Sequence, residues 1–245
     1  GTSTCDITTA AYDVIGKHTV RGICGQVDGS VLPGRIGFEA GQAAFGDIYA
    51  WLKRLLGWSL RSVAGQPDLE SKILATLTAE AEKLPLAEDD MVAVDWFNGR
   101  RSPDDDPLAT GALLNLTLAT TAPEIFKALV EATAFGSRAI NERLADEGLQ
   151  IDEIFAVGGI SRKSRYVMQT MADVIGVNIK VVRSEQACAL GSAMNAATAA
   201  GVYESVEQAQ EAMSSGFDGE YVPNEERHAI YNKLYARYRK AAYGE

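Results

Sequence analysis

The sequence predicts an α/β domain with a mixed sheet, part antiparallel meander and part parallel strands, and helices on both faces. Three observations carry this expectation. Residues 2–39 are rich in Thr and β-branched residues and are broken by turn signals, as a meander requires. From residue 41 the apolar residues recur at helical spacing. Residues 151–201 then alternate strand and helix with short joints, the pattern of a parallel pair packed under helices.

Residues 2–11 read as the first strand and 19–27 as the second. The turn Asp28-Gly29-Ser30 leads to a third strand near Val31 that continues through 36–39. An opening in mid-sheet suggests one part of a longer protein. Phe45, Ile48, Trp51, Leu52 and Leu55 place a helix over 41–56, and a second helix over 71–84 is closed by Pro85. Residues 92–97 form a short apolar strand, followed by the polar, turn-rich loop NGRRSPDDDPLATG. A long helix over 123–148 has Pro at its start and Gly at its end, the asymmetry of helix termini. Next come a buried strand over 151–157, a helix over 162–175, a strand over 177–183 and a helix rich in small residues over 187–201. Residues 205–213 and 224–243 are helical, and the last helix is amphipathic and expected to pack back on the domain. No repeat or linker interrupts the chain, so residues 1–245 are read as one domain.

Composition narrows the function. The 245 residues are 47% hydrophobic and 23% charged, enough to bury a core. No apolar run approaches the ~18–20 residues of a membrane span, and GTSTCDITTA lacks the basic and apolar regions of a signal peptide. The net charge of -10, without a basic stripe, argues against nucleic acid as a partner. Any anionic ligand must therefore be held locally, by backbone amides and helix ends. Cys5, Cys24 and Cys188 form no CxxC, and His18 and His228 stand near no useful partner. A metal cage or disulfide framework is not expected, and the cytoplasm is the natural compartment.

Four motifs can carry chemistry. In GTST, residues 1–4, glycine allows close backbone approach and the hydroxyls of Thr2, Ser3 and Thr4 add donors for an anion. The same four residues also suit an ordinary Thr-rich strand start. In FAVGGISRKS, residues 155–164, a strand runs through Gly158-Gly159 straight into a helix whose first amides, near Ser161, are free for a ligand. A plain tight turn would look alike. In SEQACALGSAMNAA, residues 184–197, small side chains permit close helix packing, and the start at Glu185 to Ala189 is a candidate second wall of a ligand slot. In EAGQAAFGDIYAWL, residues 39–52, a strand enters a helix through Gly41, again a site of backbone approach at a helix N-terminus; Glu39 and Asp47 read as caps or solvated charges rather than catalytic carboxylates. The dinucleotide fingerprint GxGxxG is absent, and Val182-Arg183-Ser184 stands where its acidic residue would fall, which counts against an NAD-dependent enzyme.

In this order and spacing, GTST, EAGQ…DIYAWL, DWFNGRRSP, ALVEATAFGSRAI, FAVGGISRKS and ACALGSAMNAA resemble the C-terminal domain of the FGGY carbohydrate kinases. The likeness runs over residues 1–201, and the DWFNGRRSP loop and AFGSRAI helix are most similar to the ribulokinase branch. The resemblance implies an actin-like, ribonuclease H-like ATPase domain, the ATP-binding half of a two-domain enzyme using ATP and Mg2+ to phosphorylate ribulose or a related ketopentose or polyol. The sugar site, the residues near magnesium and the catalytic base would precede Gly1, so this chain alone would be inactive. It also implies that Gly1, Thr2 and Ser3 match a phosphate loop, and that Gly41 and Gln42 line the phosphate and ribose side. Gly158, Gly159, Ile160 and Lys163 match the adenosine turn, where Lys163 departs from the Asn or Ser common in relatives. A non-catalytic nucleotide-binding module of the actin-like superfamily remains the alternative. Homodimerisation is left open.

Overall fold

The computed structural model describes residues 2–16 and 19–244; Gly1 and His18 lie outside them. The chain opens with β1 (Asp6–Ala10), the short helix α1 (Tyr12–Ile15), β2 (Gly25–Asp28) and β3 (Ile36–Ala40). The pairing is antiparallel, as expected, but β3 lies at the centre of the order β1–β3–β2, so the strands do not follow one another as a meander. The second strand is also shorter than its β-branched run. The Gln26 amide accepts the Val20 N–H at 2.6 Å and donates to the Val20 and Ile23 carbonyls at 2.8 and 3.1 Å. Those bonds satisfy the backbone without a partner strand and let Val20 and Ile23 enter the core.

Next come α2 (Gly46–Ser62), a 3-10 helix (Pro67–Lys72) and α3 (Ile73–Ala81). β4 (Val92–Val94) and β5 (Ala112–Leu114) form an antiparallel pair, the latter directly after the loop 98–111. The 25-residue α4 (Ala122–Asp146) follows, started by a Thr121 N–H that donates to the Glu124 carboxylate at 2.6 Å. From Phe126 to Ser137 every residue of α4 is buried. Its small residues, Ala128, Ala132, Ala134 and Gly136, let α2, α3 and β4 close in from different sides. Leu129, Val130, Phe135 and Ile140 are wholly enclosed, each stabilising the fold by about 1.5–3 kcal/mol relative to exposure.

The last third contains β6 (Glu153–Ala156), α5 (Gly159–Lys163), α6 (Arg165–Ile175), β7 (Asn178–Val182), α7 (Ala187–Ala199), α8 (Val206–Met213), β8 (Phe217–Tyr221) and α9 (Glu225–Tyr243). β6 and β7 are parallel, as their sequence predicts, and β8 adds antiparallel to β7. The helix expected over 162–175 is two helices. Ser164 is extended, and its Oγ accepts the Val167 N–H at 3.3 Å, so it ends α5 and caps α6. α9 packs back as expected: the buried Asp173 carboxylate accepts Arg227 Nε at 2.6 Å and the Asn224 N–H at 2.9 Å.

Two expectations are corrected. The strand over 151–157 is not buried, because Phe155 and Val157 are 55% and 53% exposed while α6 covers only the opposite face. Nor do helices cover both faces of the first sheet: α4 packs on one through Ile140 and Leu144, and Ile7 and Val27 on the other are exposed. The antiparallel and parallel strands therefore belong to separate three-stranded sheets, the second of them mixed. β1 and β6 are edge strands lining one groove of about 500 Å3. Among the described residues, no helix is long and apolar enough to cross a membrane.

Burial of α4 places Glu131 beside Lys127, whose Nζ lies 3.6 Å from Glu131 Oε1 and is also paired with Asp90. Burial pushes the Glu131 carboxyl up to about 7, with Lys127 pulling the other way. A carboxyl raised on folding contributes its full stability below its unfolded value near 4.5 and loses it as pH rises through about 7. Glu131→Gln should therefore gain on the parent as pH rises across that window, by at most about 3 kcal/mol. Melting curves from pH 4 to 8 check this; a constant difference between the two proteins would contradict it.

Candidate functional site

The opening loop is anchored on the start of α2. The Thr2 carbonyl accepts the Phe45 N–H at 2.9 Å and the Asp47 N–H at 3.5 Å. The Thr4 N–H donates to the Gln42 carbonyl at 3.3 Å, and the Gln42 N–H returns to Thr4 Oγ1 at 2.9 Å. Arg101 Nη2 then donates to the carbonyls of Thr4 and Ala40, at 2.9 and 3.1 Å. Thr2 and Ser3 are left exposed.

Gly41 and Gln42 look inward. Gly41 has φ +150, and a Cβ there would stand 2.3 Å from both the Thr4 carbonyl oxygen and Arg101 Nη2. Its glycine serves the approach of one chain segment to another. Gln42 is buried, its Nε2 donating to Asp95 Oδ2 at 2.8 Å and to the Thr133 carbonyl at 2.9 Å. Its Oε1 accepts Ser137 Oγ at 2.8 Å. The side chain is thus engaged within the fold.

The β6–α5 turn faces outward. Gly158 has φ +99, a conformation only glycine adopts at no steric cost, and its carbonyl accepts Ser161 Oγ at 2.8 Å. A Cβ on Gly159 would meet nothing within 4 Å. Gly159, Ile160 and Lys163 line a cavity of about 760 Å3, with Tyr49 of α2, Leu74 and Thr78 of α3, Phe126 and Tyr166 around it. α3 walls this cavity, and Glu185 to Ala189 do not line it: Glu185 pairs with Arg162 of α5 at 3.3 Å, and α7 packs on α8. The small residues of ILATLTAEA were the sequence signal for that wall. Tyr49 donates to or accepts from Thr133 Oγ1 at 2.6 Å, and burial holds its phenol well above the ordinary value, so it stays neutral.

α2 ties the two regions together. Its first amides hold Thr2 while Tyr49, two residues and about 3 Å of helix rise beyond Asp47, reaches the cavity. Apolar and aromatic walls suit a planar ring, and an exposed loop of small hydroxyl residues suits an anionic tail. Among the described residues, no three His, Cys, Asp or Glu side chains group to hold a metal ion.

Residues 1–200 match the FGGY family of carbohydrate kinases, C-terminal domain. Over 98% of its length the chain is similar to ribulokinase from Vibrio parahaemolyticus, at 44% identity, and to ribulokinase from Bacillus licheniformis, at 40%. It covers 44% and 43% of those proteins, and so spans less than half the length of these relatives. Its fold is similar to xylulose kinase from Rhodospirillum rubrum, with a TM-score of 0.80 at 25% identity over 98% of this chain and 45% of that one. Plasmodium falciparum glycerol kinase with ADP shares the fold, with a TM-score of 0.74 at 17% identity over 99% of this chain and 46% of that one.

The two glycine environments separate experimentally. Gly41→Ala should destabilise by about 1–3 kcal/mol through overpacking, and Gly159→Ala should stay within about 0.5 kcal/mol of the parent. Urea unfolding of both variants measures the difference; equal losses would contradict the inward and outward assignments.

Proposed function

Since the chain belongs to the FGGY family of carbohydrate kinases, we propose that it is the nucleotide-binding half of an enzyme that transfers the γ-phosphoryl group of ATP to a hydroxyl of ribulose or a related ketopentose or polyol. The observation that carries this reading is the open, largely apolar cavity against Gly159, where the absent Cβ leaves ligand space and no protein atom would fill it. The adenine ring lies between Ile160 and the α3 wall, against the backbone of Gly159. Gly158 shapes the turn, and Lys163 stands at the mouth. The phosphates run toward Gly1, Thr2 and Ser3, whose amides and hydroxyls bind their oxygens. Gly41 and Gln42 act from behind, by holding that loop.

Phosphoryl transfer asks for in-line placement and charge stabilisation more than for covalent chemistry. This half contributes base binding, orientation of the triphosphate and one wall that excludes water when the sugar-binding half closes. The base that takes the sugar proton belongs to the remainder of the full-length protein. In the same reading, so do the carboxylate ligands of Mg2+. The whole of 1–245 serves as one ATP-binding domain. In the ribonuclease H-like reading of the fold, one further strand enters the groove between the edges of β1 and β6 and joins the two sheets. Partners are the sugar and ATP, not nucleic acid or membrane, and the enzyme works in the cytoplasm.

Two measurements test this. The isolated chain should show no ribulose-dependent ADP production; measurable turnover would refute the division of labour. In the full-length protein, Gly159→Val should raise the ATP KM roughly ten- to a hundredfold, about 1–3 kcal/mol, while the sugar KM moves little and the melting temperature holds. A variant that keeps its nucleotide affinity removes Gly159 from the site. A full-length protein that binds ATP but phosphorylates no sugar favours the non-catalytic module.

A further inference from the structure

We infer that Tyr238, Asp95 and Gln42 form a buried relay that positions the Thr2–Thr4 loop for phosphoryl transfer, and that the C-terminal helix α9 thereby sets the geometry of a site it does not line. The inference rests on the reading of that loop as the phosphate contact. The relay is continuous: the Tyr238 hydroxyl donates to Asp95 Oδ1 at 2.8 Å, Asp95 Oδ2 accepts Gln42 Nε2 at 2.8 Å, and the Gln42 N–H donates to Thr4 Oγ1 at 2.9 Å. Thr4 Oγ1 also reaches Gln42 Oε1, at 3.4 Å.

The chemistry of these groups gives the relay a direction. Burial pushes the Asp95 carboxyl up, but its two oxygens both accept, from Tyr238 and from Gln42 Nε2, so Asp95 draws the NH2 end of the Gln42 amide toward itself. The carbonyl end must then face Ser137 and Thr4. Turning the amide over would set its one oxygen against two other acceptors, Asp95 Oδ2 and the Thr133 carbonyl. Asp95 thus selects one orientation of Gln42, and Tyr238 fixes Asp95 from the opposite side. α4 is fitted to this pair: a Cβ on Gly136 would come 2.4 Å from both Asp95 Oδ2 and Gln42 Nε2. A buried carboxylate adds little stability over a well-packed apolar group, whereas a unique amide orientation is something only a polar partner supplies.

The experiment compares two hydroxyl deletions on one helix of the full-length protein. Tyr238→Phe removes the donor to Asp95. Tyr235→Phe removes a hydroxyl that donates to Glu142 at 2.8 Å, outside the relay. Tyr238→Phe should lower kcat about tenfold per folded active site, with the sugar KM unchanged, and speed amide exchange across residues 2–4 tenfold or more. Tyr235→Phe should move neither. If both variants lose stability alike and keep kcat and exchange at the loop, the relay is structural only and the inference is overturned. Faster exchange with unchanged kcat also overturns it. A parent without kinase activity sinks the functional reading instead, and unchanged exchange in Tyr238→Phe would then still overturn the link between α9 and the loop.

Discussion

The burial of α4 on all sides between Phe126 and Ser137 is the constraint from which the rest of the structure follows. A helix without a solvent face must find protein partners for each polar side chain, because an unpaired polar group in the interior costs about 1–3 kcal/mol. Lys127 is met by Asp90 and the Pro85 carbonyl, and Glu131 by Lys127 and the Tyr231 hydroxyl. Thr133 is met by Tyr49 and by its own helix, and Ser137 by Gln42. These contacts bring the loop after β3, the first turns of α2 and the strand end at Asp95 to the same helix. The site elements are placed by the demands of α4.

The polar satisfaction of α4 and the hold on the opening loop therefore use the same residue. The Gln42 amide closes the hydrogen bonding of α4 and, through its backbone, orders Thr4. Arg101, from the loop after β4, completes the hold by donating to the Thr4 and Ala40 carbonyls. Such a loop is held by the interior rather than by its own sequence. Its exposed residues, Thr2 and Ser3, are thereby held without a side chain of their own in the core.

The glycines divide along the same line. Gly41 and Gly136 are required because protein atoms approach within 2.3–2.4 Å of where a Cβ would be. Gly159 has open space at that point. All three sit in small-residue stretches and look alike in sequence. What separates them is whether the missing side chain makes room for the protein or leaves room for something else.

Much was legible without coordinates. Residues 123–148 carry their own start and stop signals, and the 151–201 segment its strand–helix alternation, since both depend on neighbours three or four positions apart. The succession of motifs pointed to the family for a related reason, order and spacing being properties of the chain itself. The sequence by itself therefore determined the α/β class, the long central helix, the parallel β6–β7 pair and the turn at Gly158-Gly159. The tertiary structure decided that β3 stands between β1 and β2, that β8 extends the second sheet, that α3 walls the cavity beside Gly159, and that Gln42 faces inward. These outcomes turn on residues far apart in the chain: Gln42 and Asp95 are separated by 53 positions, and Asp95 and Tyr238 by 143. No local pattern marks such a pair, because its energy exists only once packing has removed both groups from water.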